Sequence, residues 1–299
     1  MKRLQGRVAI VTGASRGLGR AIALAMAAEG AAVAVAARTE QVWDERLPGT
    51  IGETVAAIEA TGGRAVAIRA DLLDPADRPR LVEQARAALG PITILVNNAA
   101  FTAPGRPPRP GTHATPKPAP RPAAAQAATP AGKSDWPTFA RTPLPAYQRH
   151  FEMVFAAYEL MQLVVPDMQA AGYGAIINVT SGASRMPGDG PYPQRSYGVL
   201  AGYGGSKAAL EHLTRCAAYD LVDRNIAVNS LSPSKAIVTP GVQYYSKVFE
   251  DTAPEEDFAE AAVRLALADP NVITGKVVGH ADVLDGSYRP YVFENREGA

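Results

Sequence analysis

A chain of 299 residues, 47% hydrophobic and 20% charged, is long enough to bury a large core. Its 30 lysines and arginines nearly balance 29 aspartates and glutamates, and the net charge of +1 gives no electrostatic drive toward nucleic acid or an anionic membrane. The single cysteine, Cys216, excludes an intrachain disulfide and suits a cytoplasmic, reducing setting. His113, His150, His212 and His280 are too scattered to suggest a metal site. The Met-Lys-Arg opening is interrupted by Gly6 and Arg7, unlike a secretory signal, and no apolar run approaches the ~18 residues that span a bilayer.

In chain order, short apolar runs alternate with helical patterns. The runs cover residues 8–11, 33–37, 65–70, 92–96, 176–179 and 226–231, with a weak one at 277–278. An alanine-rich helix is expected over 17–29, closing at Gly30, and another over 50–60, closing at Gly62-Gly63. A third is expected over 75–89, with Pro75 at its first position, where a missing N–H costs nothing. Two longer helices are expected over 147–171 and 203–223, both with apolar stripes. Runs buried on both faces and separated by helices imply an α/β fold, a doubly wound parallel sheet forming a single domain over 1–299.

Residues 101–146 break the pattern. They hold 12 of the 25 prolines, six basic residues against one acidic, and only Leu144 among aliphatics larger than alanine. So little apolar surface cannot offset the entropy of ordering the chain, which predicts a disordered Pro/Ala-rich inserted loop. It leaves directly from Asn98-Ala99-Ala100.

The first run ends in Thr12-Gly13-Ala14-Ser15-Arg16-Gly17-Leu18-Gly19, and a helix follows. A strand-to-helix turn poor in side chains lets a pyrophosphate approach the backbone, and the helix N-terminus offers N–H groups and a positive dipole end. The context implies a Rossmann-type dinucleotide site.

The TGxxxGxG spacing resembles the cofactor turn of the short-chain dehydrogenase/reductase family, and other motifs follow in the family's order. Asp71-Leu72 stands where the family places an aspartate against the adenine amino group. Asn97-Asn98-Ala99-Ala100 is close to its NNAG, and Ser181 ends the fifth run at its catalytic serine. Tyr203-Gly204-Gly205-Ser206-Lys207 matches YxxxK, and the segment from Asn229 to Thr239-Pro240 resembles its N-x-x-x-PG…T. The resemblance covers nearly the whole chain outside 101–146. It implies catalysis by Ser181, Tyr203 and Lys207. It implies cofactor contacts from Gly13, Ser15, Arg16, Gly17, Leu18, Gly19, Arg38, Asp71, Leu72, Asn97, Ala99, Tyr203, Lys207 and Ile237. A homodimer or homotetramer is implied as well, with the two long helices as contacts and a small alcohol or ketone as substrate.

The chemistry of these residues agrees. Tyr203 and Lys207, four apart, share a helix face, and an ammonium beside a phenol favours phenolate, lowering its pKa from about 10. Tyr203 can then act as general acid or base, while Ser181 stabilises charge on the substrate oxygen. Ser184 is a rival serine, further into the loop. Strand two ends at Ala37-Arg38, without the acidic residue that binds a ribose 2′-hydroxyl. Arg16 and Arg38 suit a 2′-phosphate, and no carboxylate is placed to repel it, so NADP(H) is expected over NAD(H).

Three departures mark a divergent branch. The family's helix asparagine, part of a water relay to the lysine, falls on Met153 or Val154. Ser181 and Tyr203 are 22 residues apart, longer than the family's usual spacing. The usual PG and VDGG become Pro233-Ser234 and Val283-Leu284-Asp285-Gly286. Two other readings stay open: a catalytically impaired dinucleotide-binding protein, as sensor or structural subunit, and redox-neutral chemistry such as epimerisation. The substrate pocket is expected among 182–202, 236–252 and the C-terminal tail, where Tyr192, Tyr197, Tyr244, Tyr245, Phe249 and Tyr288 concentrate.

Overall fold

The computed structural model describes residues 2–101, 139–191, 201–243 and 251–289. Seven parallel strands form one sheet in the order β3-β2-β1-β4-β5-β6-β7. They are β1 (Val8–Thr12), β2 (Ala32–Ala37), β3 (Arg64–Arg69), β4 (Ile94–Asn97), β5 (Gly174–Val179), β6 (Ile226–Ser232) and β7 (Val277–Gly279). Between them run α1 (Gly17–Ala28), α2 (Ile51–Glu59), α3 (Asp77–Leu89), α4 (Leu144–Ala171), α5 (Ala201–Leu221), the short α6 (Pro240–Gln243) and α7 (Glu255–Ala266); α8 (His280–Leu284) follows β7. This is the doubly wound Rossmann-type sheet expected. Its strand order reverses between β1 and β4, where such sheets open a crevice at their C-terminal edge.

Alternation within each strand builds a core on either face. Ala9, Val11, Val33, Val35, Ile94 and Val96 face α1 and α7. Val8, Ile10, Ala34, Ala36 and Leu95 face the helices that carry Leu81, Leu160, Val164 and Ala218. All five residues of β1 and all six of β5 are buried, the signature of strands covered on both sides.

Among the larger elements, four depart from the sequence expectation, and the short α6 and α8 were not expected either. Helix α3 begins at Asp77, and Pro75 lies outside it in the preceding turn: the Asp77 carboxylate accepts from the Asp71 backbone, and Asp77 N–H bonds Asp74 O. Strand β4 begins at Ile94, because Thr93 is used as a clamp whose hydroxyl bonds both Val8 N and Val8 O. Helix α4 begins at Leu144 after Pro143, so the last residues assigned to the inserted loop are helical; residues 102–138 of that loop lie outside the described residues. Helix α7 has no counterpart in the sequence reading. It starts after Pro254 with Glu255, Glu256 and Asp257 at its positive end and buries Phe258, Ala262, Val263 and Leu265. Arg3 ties it to the end of α1 by bonding Glu260 and Glu29.

Helix α4 keeps the exposed apolar stripe expected of it, with Leu144, Tyr147, Phe155 and Tyr158 facing outward. On α5 the exposed large apolar side chain is Tyr219. Among the described residues no helix is long and apolar enough to cross a membrane, and no cluster of three potential metal ligands occurs.

Candidate functional site

The turn after β1 is stitched to the end of β4. Thr12 Oγ1 donates to Val96 O at 3.1 Å and accepts from the N–H groups of Asn98 and Ala99 at 3.0 and 3.1 Å. The Asn98 carboxamide donates back to Thr12 O at 2.9 Å. Gly13 has φ +68°, and a Cβ there would lie 2.9 Å from Ala99 Cα. At Gly19 a Cβ would collide with Gly13 O and the Asn98 carboxamide. Helix α1 opens with Arg16 extended at its cap, without a side-chain cap bond and without an acidic residue in its first turn. Helix α2, by contrast, has a full capping box from Thr50 and Glu53. The first-turn N–H groups of α1 thus face the turn without a protein anion, and the absent side chains leave a backbone-lined cradle that fits a pyrophosphate.

Ser15 is buried, Leu18 packs against the core, and Gly17, at φ +53°, abuts Thr239 from the loop after β6. Arg16 turns toward the segment ahead of α2, donating to Pro48 O at 3.0 Å, Gly49 O at 3.2 Å and Thr39 Oγ1 at 3.3 Å. Burial, then the like charge of Arg38, push its pKa down, so the two guanidinium groups sit close enough to repel. Carboxylates are nearer than the sequence suggested: Asp44 and Glu53 both act on Arg16. Each is already engaged, Asp44 by Arg46 at 2.7 Å and Glu53 by the Thr50 N–H.

Asp71 follows β3 at the same edge of the sheet, its carboxylate accepting from Leu73 N–H at 3.2 Å. Leu72 is buried beside it. Ile237 is buried in the core, and its carbonyl accepts from Thr239 N–H at 3.0 Å in the loop after β6.

The three residues expected to carry chemistry converge. Ser181 lies two residues beyond the end of β5, at the head of a short 3-10 turn, and hydrogen-bonds the Tyr203 phenol. Lys207 is buried one turn along α5, its ammonium 5.6 Å from the Tyr203 ring centroid and donating to Val179 O at 2.7 Å. Gly204 lets α5 close on this turn, because a Cβ there would collide with Ala183 O. The rival Ser184 points elsewhere, donating to Glu211 Oε1 at 2.6 Å, with Arg185 on the other oxygen at 3.2 Å. The expected pKa direction of Tyr203 is reversed. Burial raises it and outweighs the Ser181 bond that lowers it. Burial also pushes Lys207 down to about 8, against the pull of Glu211.

Beneath this group runs a buried polar chain that sequence reading missed. Asn97 donates to Asn178 Oδ1 at 2.9 Å, Asn178 donates to Thr214 Oγ1 at 2.9 Å, and Thr214 and Ser230 share a bond of 2.7 Å. It locks β4, β5, β6 and α5 in register under the site. Asn178→Leu leaves the buried Asn97 carboxamide without its acceptor, so a loss of about 2 kcal/mol in unfolding free energy is expected from urea titration. An unchanged midpoint and slope would show the chain to be dispensable.

A sequence model described as short chain dehydrogenase matches residues 7–112 and 129–247. The chain belongs to that family. It is 29% identical over 293 residues to a 7alpha-hydroxysteroid dehydrogenase of Escherichia coli, covering 92% of this chain and 93% of the relative. It is 32% identical to an uncharacterized oxidoreductase of Mycobacterium tuberculosis, covering 93% and 92%. A solved 7 alpha-hydroxysteroid dehydrogenase, complexed with NADH and 7-oxo glycochenodeoxycholic acid, superposes with a TM-score of 0.69 at 27% identity, covering 93% of both chains. A metagenomic blue fluorescent protein in complex with NADPH superposes at 0.68 and 29% identity, covering 93% of this chain and 97% of the other.

The crevice is lined by Thr12, Leu72, Asn97, Ala99, Tyr203 and Lys207, among others, so five of the sequence-assigned positions meet in one pocket. Its far wall comes from α4, where Met153 and Val154 stand as expected and His150 joins them. The spacing 150, 153, 154, 157 was a readable sign that His150 shares that helix face. Of the aromatic residues expected around the substrate, Tyr288 packs against the core near α7 and α8. Tyr192, Tyr197, Tyr244, Tyr245 and Phe249 lie outside the described residues.

Proposed function

We propose that this chain transfers a hydride between NADP(H) and an alcohol or carbonyl substrate, with Tyr203 as general acid in reduction and general base in oxidation. The observation that carries the reading is the convergence of Ser181, Tyr203 and Lys207 in a structure whose glycine-rich turn leads into an uncapped helix. The dinucleotide, when bound, supplies or accepts the hydride. The cradle at Gly13, Gly17 and Gly19 holds its pyrophosphate, Asp71 and Leu72 flank its adenine, and Asn97, Ala99 and Lys207 border the nicotinamide end. Ser181 holds the substrate oxygen in line with the Tyr203 phenol, and the low-dielectric surroundings strengthen both bonds. Tyr203 passes its proton to that oxygen as the carbonyl is reduced, while the Lys207 ammonium stabilises the phenolate left behind.

Relatives have been solved with NADH and with NADPH, so the arginines decide the preference. Arg16 and Arg38 crowd positive charge at the end of β2, where a 2′-phosphate relieves their repulsion. Arg38→Asp is expected to lower kcat/KM with NADPH by roughly tenfold to a hundredfold and to leave NADH nearly unaffected. A wild-type preference for NADH would overturn this assignment.

A sensor or structural subunit needs the cradle but not Ser181 placed on Tyr203, which favours the enzyme. The test is steady oxidation of NADPH with a panel of ketones, among them a 7-oxo bile acid of the kind bound by the solved relative. Dinucleotide binding without turnover across the panel would favour the binding protein. The exposed apolar stripe of α4 supports a homodimer or homotetramer, readable by light scattering.

A further inference from the structure

Oxidation of an alcohol by a nicotinamide dinucleotide releases one proton for each hydride moved, and carbonyl reduction consumes one. Tyr203 must therefore be reset in every turnover, an argument that rests on the function proposed above. Neither neighbour does this directly. Lys207 is buried and anchored on Val179 O, and Ser181 accepts from Ala183 N–H at 3.3 Å at the head of the following turn. Opposite them on α4, Met153 and Val154 have no proton to exchange.

His150 is different. Among the described residues lining the crevice, Tyr203, Lys207 and His150 are the three titratable side chains. The imidazole meets the Tyr203 ring edge-on, with centroids 6.0 Å apart, and meets Phe101 in the same way at 5.6 Å. Space for it is built into α5: a Cβ on Gly202 would stand 2.7 Å from His150 Cδ2, so any other residue there displaces the ring. We propose that His150 is a positioning residue of the proton path, carrying the proton between the Tyr203–Lys207 pair and solvent through water, from the face of α4 on which Met153 and Val154 are inert.

The charges around His150 suit this work. From α5 it faces Tyr203 and Lys207; its own helix adds Tyr147 and Arg149, whose guanidinium lies 5.8 Å over the Phe101 ring. Burial first, then the Lys207 charge, hold its pKa below the usual histidine value. The ring is therefore neutral near pH 7 and able to accept a proton, and it loses that ability as pH falls through its pKa.

The test compares His150→Leu and His150→Asn with wild type in alcohol oxidation, over pH 5–9 in weak buffer, with NADP and a substrate found by the panel. His150→Leu is expected to lower kcat by about tenfold to a hundredfold, with KM little changed and imidazole restoring much of the rate. His150→Asn, which can still hold a water, is expected to keep most of the rate but lose the acidic limb below about pH 6.5. A leucine variant with wild-type kcat and pH profile overturns the relay. So does a loss that neither imidazole nor asparagine repairs, which would make His150 a packing residue. Wild type without hydride transfer overturns the functional reading and the relay together, whereas active wild type with an indifferent leucine variant overturns the relay alone.

Discussion

Tyr203→Phe is expected to remove turnover, by about 10²–10⁴-fold or more in kcat, while dinucleotide affinity stays close to wild type. Phenylalanine keeps the ring, its edge contact with His150 and its packing on α5, and deletes only the hydroxyl that meets Ser181. The lost atom exchanges the proton, so the effect falls on kcat rather than on KM. Lys207→Ala is expected to damage both quantities. It removes the ammonium beside the phenol, the bond to Val179 O that closes the end of β5, and a wall of the crevice. The pH dependence follows from the two shifted groups. Tyr203 is raised by burial, so alcohol oxidation, which needs the phenolate, climbs toward alkaline pH. Lys207 loses its charge near pH 8, and the climb flattens where the ammonium that stabilises the phenolate is gone. Stopped-flow absorbance at 340 nm, with parallel titration of NADPH fluorescence, separates chemistry from binding. A phenylalanine variant turning over at the wild-type rate would falsify the assignment of Tyr203.

Gly13→Ala is expected to cost at least a hundredfold in dinucleotide affinity, with a lowered melting temperature. Two causes add. The backbone at φ +68° is strained by any Cβ, by roughly 1 kcal/mol. The new methyl would also stand 2.9 Å from Ala99 Cα and 3.0 Å from the Asn98 carboxamide. The first of these neighbours is backbone, so the ends of β1 and β4 must separate and open the bonds that Thr12 makes to Asn98 and Ala99. Gly62→Ala is the control. It has the same sign of φ, +75°, with nothing within 4 Å of the added methyl. It is expected to lose only the conformational part of the stability and none of the affinity. Calorimetric titration with NADPH on both variants reads the difference; equal affinities for the two would show that the turn does not cradle the cofactor.

Strand run 33–37 was legible because a strand buried on both faces reads as an unbroken apolar stretch, and 226–231 was legible from Ile226, Val228 and Leu231 although Asn229 and Ser230 interrupt it. The glycine turn was legible because a backbone that must approach a ligand leaves no side chain to mistake. Helix α7 was overlooked although its sequence carries the pattern, with Glu255, Glu256, Asp257 and Glu260 set against Phe258, Ala262, Val263 and Leu265; what the sequence does not give is its neighbour, α1, more than 200 residues earlier. The start of α3 was misjudged for a related reason: a proline suited to a first helical turn was overruled by the Asp77 carboxylate reaching back to the Asp71 backbone.

The amino-acid sequence alone determined the parallel α/β architecture, because local periodicity and turn chemistry are properties of neighbouring residues, and it singled out the glycine turn, Ser181, Tyr203 and Lys207 as candidates through the order of motifs that resembles the family's. Only the tertiary structure decided which serine meets Tyr203, with Ser184 held away by Glu211. It also decided that Tyr203 is pushed up rather than down, that Arg16 is held by the carbonyls of Pro48 and Gly49, and that His150 stands against Tyr203. Each of these depends on burial or on a partner brought from a distant part of the chain. Desolvation and long-range contact are set by how the elements pack, not by the order in which residues follow one another.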